Sequence, residues 1–180
     1  FSIANELKSN FEIHLIDQRN HGNSFHHFEH NYLALAEDLY NYIKAKELNN
    51  VSIIGHSMGG KTAMKFACIY PYLLNKLIII DIAPKAYHDN HAQIFQGLNE
   101  VIKHSQSRKE AYSILMNYVD DSVMTNFLLK GLCFLESNKA QLKFNLPILE
   151  RNIKDLLGFA PLQSTFNKMV YFLSGSKSDY

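Results

Sequence analysis

Apolar residues fall into two rhythms along this chain. Phe11 to Asp17 (FEIHLID) reads as a strand, and Asp17 to Ser24 (DQRNHGNS) as a polar turn. From Tyr32 to Leu48 the apolar residues Tyr32, Leu35, Leu39 and Ile43 recur every three or four positions, which predicts an amphipathic helix. Val51 to Ile54 is a short apolar strand. Met58 to Tyr70 places small residues, Gly59, Ala63 and Ala67, at helical spacing, so this helix can lie close against a sheet, and Pro71 stops it. Leu77 to Ile82 (LIIIDI) is apolar on both faces, as a central parallel strand requires. The β-α-β-α-β order predicts an α/β fold with a doubly wound, mostly parallel sheet.

Beyond Pro84 the rhythm becomes helical. Ala92 to His104, Ser107 to Val119, Ser122 to Leu135 and Pro147 to Leu157 read as helices with no strand between them. Met169 to Leu173 (MVYFL) returns to strand character, with Gly175 after it. The expected organisation is a core over 1–83, a helical cap over 84–168, and the start of a returning core strand and loop over 169–180.

The 180 residues suffice for one domain with a real core. With 47% hydrophobic residues, 19% charged residues and a net charge of +1, the composition is that of a soluble globular protein. That balance gives no reason to expect nucleic acid or an anionic membrane surface as partner. No apolar run reaches the length of a membrane span. Two cysteines, Cys68 and Cys133, imply no disulfide framework, so a cytoplasmic setting is the expectation.

The candidate chemistry sits at Val51-Ser52-Ile53-Ile54-Gly55-His56-Ser57-Met58-Gly59-Gly60. An apolar strand runs into G-x-S-x-G, which opens a helix. Such a sharp turn holds Ser57 at its apex in a strained conformation, its Oγ clear of the sheet and near the positive end of the helix. Gly55 and Gly59 let strand and helix approach. The Met58 N–H becomes an oxyanion donor. No GxxxxGK[ST] or GxGxxG pattern supports a phosphate site instead.

These residues, together with Asp17 to Ser24, Asp81-Ile82-Ala83-Pro84 and His91 to Phe95, resemble the α/β-hydrolases, and more narrowly the YbfF-type acyl esterases. The resemblance covers nearly the whole chain. It implies a hydrolase core sheet under a helical cap and hydrolysis of small-molecule carboxylic ester or thioester substrates; nothing seen in the sequence requires a cofactor or a metal. It also implies a preceding strand with a His-Gly loop and a following Gly-His segment that supplies the catalytic base. Neither is present between Phe1 and Tyr180, so the chain reads as a truncated, internal fragment, inactive alone.

A serine nucleophile needs a base, and the base needs an acid to orient it. Asp81 ends the strand after the elbow helix, where the resemblance also places the acid. Asp179 follows the later strand, one residue out of register, since the usual spacing from Gly175 falls on Ser178. Asp81 is the first choice and Asp179 the alternative. His56 stands beside the nucleophile, and His88, His91 and His104 lie in the helical insertion, so none of them is a good base. His21, His26, His27 and His30 match no metal-ligand spacing. Arg19 with Asp17 is expected to buttress the polar turn, and Lys61 to hold a carboxylate or pair with a neighbour. His56, Phe95 and Leu98 are candidate substrate contacts. The competing class is a non-catalytic remnant that binds a ligand or partner.

Overall fold

A computed structural model describes residues 2–159 and 164–176. In chain order its elements are α1 (Ser2–Leu7), α2 (Tyr32–Ala45), β1 (Val51–His56), α3 (Met58–Ile69), a 3-10 turn (Pro71–Leu73), β2 (Leu74–Ile80), α4 (Ala92–His104), α5 (Arg108–Met116), α6 (Ser122–Leu129), β3 (Leu132–Phe134), β4 (Ala140–Leu142), α7 (Leu146–Arg151), α8 (Ile153–Leu157) and β5 (Val170–Leu173).

The main sheet has the order β1-β2-β5, and both pairings are parallel. Its register aligns His56 with Ile80 and Ile80 with Leu173. All three strands therefore end level, and the residues that follow them emerge together at one carboxyl edge. The Ser57 N–H donates to the Ile80 carbonyl at 3.1 Å, and the Asp81 N–H to the Leu173 carbonyl at 2.7 Å.

Two apolar cores form. The first joins α2, α3 and the sheet through Ala36, Ile43, Ala63, Phe66, Leu74, Leu77 and Ile79. Phe66, Leu74 and Ile79 are fully buried, which stabilises the fold by about 1.5–3 kcal/mol each. The second lies within the helical segment and gathers Phe95, Leu98, Val101, Ala111, Leu115 and Leu129. Two of its helices start on side-chain caps, Ser107 for α5 and Asp121 for α6, and α2 starts on Asn31 in the same way. Among the described residues no helix is long and apolar enough to cross a membrane.

Four expectations need correction. Phe11 to Asp17 forms no strand: Phe11 and Leu15 are 60% and 61% exposed, and no described strand lies alongside to complete a ladder. The helical segment is not free of strands: β3 and β4 pair antiparallel, and β3 takes the last part of the helix expected over Ser122 to Leu135. The helix expected over Pro147 to Leu157 is two, α7 and α8, meeting at Asn152. The tight glycine on the elbow helix is Gly60, not Gly59. A Cβ at Gly60 would lie 2.6 Å from Ile82 Cγ2, whereas one at Gly59 would meet only the Gln18 amide at 3.3 Å.

Gly55 is more constrained still. A Cβ there would overlap the Gly59 carbonyl oxygen and lie 2.6 Å from its carbon and 2.8 Å from Gly60 Cα, all backbone atoms. We therefore expect Gly55→Ala to destabilise the protein by about 3 kcal/mol and Gly60→Ala by less, about 1–2 kcal/mol, because the nearest atom at Gly60 is an Ile82 methyl and main chain comes only to 3.2 Å, whereas at Gly55 every close atom is main chain. Urea unfolding midpoints check this, and equal losses would contradict it.

Candidate active site

Ser57 occupies the junction of β1 and α3 at φ 52°, ψ −119°. This left-handed backbone is costly for a residue with a Cβ, and such strain clusters at functional positions. It arises because strand and helix meet without a spacer, and the close approach of Gly55 to Gly59 permits it. The Ser57 hydroxyl makes no capping bond to the helix. The Ser57 carbonyl accepts from the N–H groups of Gly60 at 2.9 Å and Lys61 at 3.1 Å. The N–H groups of Met58 and Gly59 precede those bonds, and a helix's first donors have no intrahelical partner. A developing negative charge at this end of α3 would meet donors and the positive pole of the helix.

Asp81 follows β2 directly and also has a positive φ, 53°. Its Oδ1 accepts from the Gly175 N–H at 3.2 Å, which ties the carboxylate to the segment after β5. The sheet register thus brings Ser57 and Asp81 to neighbouring strand ends. Asp179 and Ser178 lie outside the described residues.

The polar turn from Asp17 to Ser24 is built around other partners than expected. Arg19, 8% exposed, pairs with Asp38 and not with Asp17. Its Nε and Nη2 donate to the Asp38 carboxylate at 2.5 and 2.8 Å, and its remaining donors reach the Glu29 and Ala34 carbonyls. The Asp38 hydrogen bond and charge raise the Arg19 pKa. Asp17 instead accepts from the Asn23 N–H. Gln18 Oε1 accepts from the Thr62 hydroxyl on α3 at 3.5 Å, a contact that nothing in the spacing announced.

The histidines are spread over separate duties. Asn20 Oδ1 accepts from the His27 N–H at 2.9 Å, which orients its amide so that Nδ2 donates to His30 Nδ1 at 3.0 Å. His21 donates from Nδ1 to the Arg19 carbonyl, and His14 contacts Tyr42 and Glu12. His91 lies 3.4 Å from Asp89 without a well-formed hydrogen bond. His56, His88 and His104 are exposed. Among the described residues no group of three His, Cys, Asp or Glu is placed to hold a metal. Phe95 and Leu98, 7% and 2% exposed, belong to the second core.

His30 is fully buried, and that burial, helped by His21 and Arg19, lowers its pKa from 6.5 to about 4. The unfolded chain binds a proton that the folded chain refuses between these values. Stability is complete above pH 6.5 and falls as the pH drops towards 4, by up to about 3 kcal/mol. Urea unfolding at pH 7 and pH 4.5 should show the loss, and His30→Gln should flatten it. A parallel pH dependence in the variant would contradict the assignment.

Residues 1–110 match the family model described as alpha/beta hydrolase fold. Esterase YbfF of Escherichia coli is 32% identical over 180 residues, which cover 99% of this chain and 68% of that protein. A Haemophilus influenzae relative is 36% identical over 181 residues, and this chain spans only 61% of its length. Among solved structures, a marine microorganism esterase superposes with a TM-score of 0.90 at 39% identity, covering 97% of this chain and 70% of that one.

Proposed function

The chain belongs to the alpha/beta hydrolase fold family, and from that premise we propose that it carries the nucleophile of a serine hydrolase that cleaves carboxylic esters. The observation that carries this reading is Ser57 in a left-handed backbone at the top of α3, level with Asp81 across the register. The esterases among its relatives support the substrate class.

In this mechanism Ser57 Oγ attacks the acyl carbon while its proton passes to an imidazole. The reading takes that imidazole from a histidine of the complete gene product. Asp81 orients it. The Met58 N–H holds the oxyanion of the tetrahedral intermediate. Collapse breaks the bond to the leaving oxygen, which takes the proton from the imidazolium and departs as an alcohol. Water then attacks the acyl-enzyme, giving its proton to the imidazole, and the acid leaves as Ser57 regains its hydrogen. A thioester would follow the same steps with a thiol as leaving group.

Fluorophosphonate labelling of the complete gene product, with mass-spectrometric mapping, tests this reading. Phosphonylation on Ser57 is the expected result. A folded, unlabelled protein would overturn it.

A further inference from the structure

Lys61 lies one helical turn beyond Ser57 and is only 2% exposed. Its ammonium donates to the carbonyls of Leu157 and Gly158 at 3.0 Å each and of Leu156 at 3.4 Å. The rings of Tyr32, Tyr87 and Phe159 surround it at 5.6, 4.9 and 5.6 Å. Among the described residues no carboxylate pairs with it; the neighbours it meets are backbone carbonyls and ring faces. Burial draws its pKa down from 10.5 to about 8, so the group keeps its charge at neutral pH.

The groups around Lys61 come from three other parts of the chain. Tyr32 opens α2, and its hydroxyl donates to the Leu156 carbonyl at 2.6 Å. Tyr87 closes the loop after Asp81: its hydroxyl accepts from the Ala83 N–H at 2.9 Å, and its own N–H donates to the Leu157 carbonyl at 3.0 Å. Residues 156–158 end the helical segment. One cation therefore joins the Ser57 helix, the Asp81 loop and the close of the helical segment.

Stability alone is a poor account of this arrangement. A buried charge without a counter-charge costs free energy, and carbonyls at a helix C-terminus and ring faces return part of it. An apolar side chain of similar length would fill the space without that cost. What the ammonium adds is direction, because its donors fix three acceptors at once.

We propose that Lys61 is a positioning residue, holding the Ser57 turn at a set place relative to the Asp81 loop and the end of the helical segment. The inference rests on the serine-hydrolase reading of the same site. Displacing a catalytic group by about 1 Å can cost roughly a hundredfold in rate.

The test uses the complete gene product with Lys61→Met and, as a gentler variant that keeps the ring, Tyr87→Phe. For Lys61→Met the expected result is a kcat lower by about 10- to 100-fold at nearly unchanged KM, counted per folded molecule. Fluorophosphonate labelling of Ser57 slows in proportion. Amide exchange rises together over 57–61, 81–87 and 156–158. Tyr87→Phe moves kcat the same way by less, and it carries the test if Lys61→Met does not fold. Lower urea midpoints with unchanged kcat would reduce Lys61 to a structural role and overturn the proposal. Unchanged exchange in those segments would show that no such tie exists. A wild type that neither labels at Ser57 nor hydrolyses esters would instead sink the serine reading, and the positioning role with it.

Discussion

Replacing Ser57 with alanine lowers kcat for ester hydrolysis by about 10^4-fold or more, with the fold intact. The magnitude follows from removing the atom that forms the acyl bond, since only oxyanion donors and substrate binding then remain. Alanine keeps the Cβ, so the strain at φ 52° stays and the urea midpoint moves by no more than about 0.5 kcal/mol equivalent. Glycine at the same position is equally inactive yet more stable by about 1 kcal/mol or more, because it adopts this backbone without steric cost. Steady-state rates and urea curves on the two variants check both halves. An alanine variant that keeps more than a few per cent of the rate would remove Ser57 from the reaction.

Asp81→Asn lowers kcat by about 10^3- to 10^4-fold, mainly through the orientation and tautomer of the imidazole it would hold. The amide oxygen can still accept from the Gly175 N–H, so the loop keeps its anchor. The effect therefore reads chemistry rather than folding. Asp179→Asn serves as the counterpart: it leaves kcat within a few-fold if Asp81 is the acid. A large loss at Asp179 with none at Asp81 would transfer the role to the later loop.

The periodic apolar stretches made much of this fold legible. Tyr32, Leu35 and Ile43 are buried on one helix face as their spacing requires, and α4 runs from Ala92 to His104 as read from the sequence. The sharp turn from β1 into α3 at Ser57 was legible too, because a strand, two glycines and a serine leave few ways to turn. Strand pairing was not. Phe11 to Asp17 has strand composition, but a strand exists only where a neighbour takes its hydrogen bonds, and no local pattern supplies the neighbour. The same reason hides β3 and β4, three residues each, inside a helical rhythm.

Long-range polar partners were the least legible part of the site. Asp38 is nineteen positions from Arg19, farther in sequence than Asp17, yet the α2 face carries it to the guanidinium. Lys61 suggests a bound carboxylate or a neighbouring partner, and lysine seldom lies buried. Its partners are backbone carbonyls about a hundred residues away, and a carbonyl leaves no mark in the sequence. Gln18 and Asn20 sit in a turn whose composition signals only polarity, and their roles depend on α3 and His30 arriving beside them.

The central claim is that an acyl group passes through Ser57. The most direct measurement mixes the complete gene product with a slowly hydrolysed p-nitrophenyl ester, quenches during turnover in acid, and weighs the peptides. The account predicts the acyl mass on the peptide that carries Ser57, absent from Ser57→Ala. Turnover of the same ester with no acyl adduct on Ser57, or with the adduct on another residue, would contradict it.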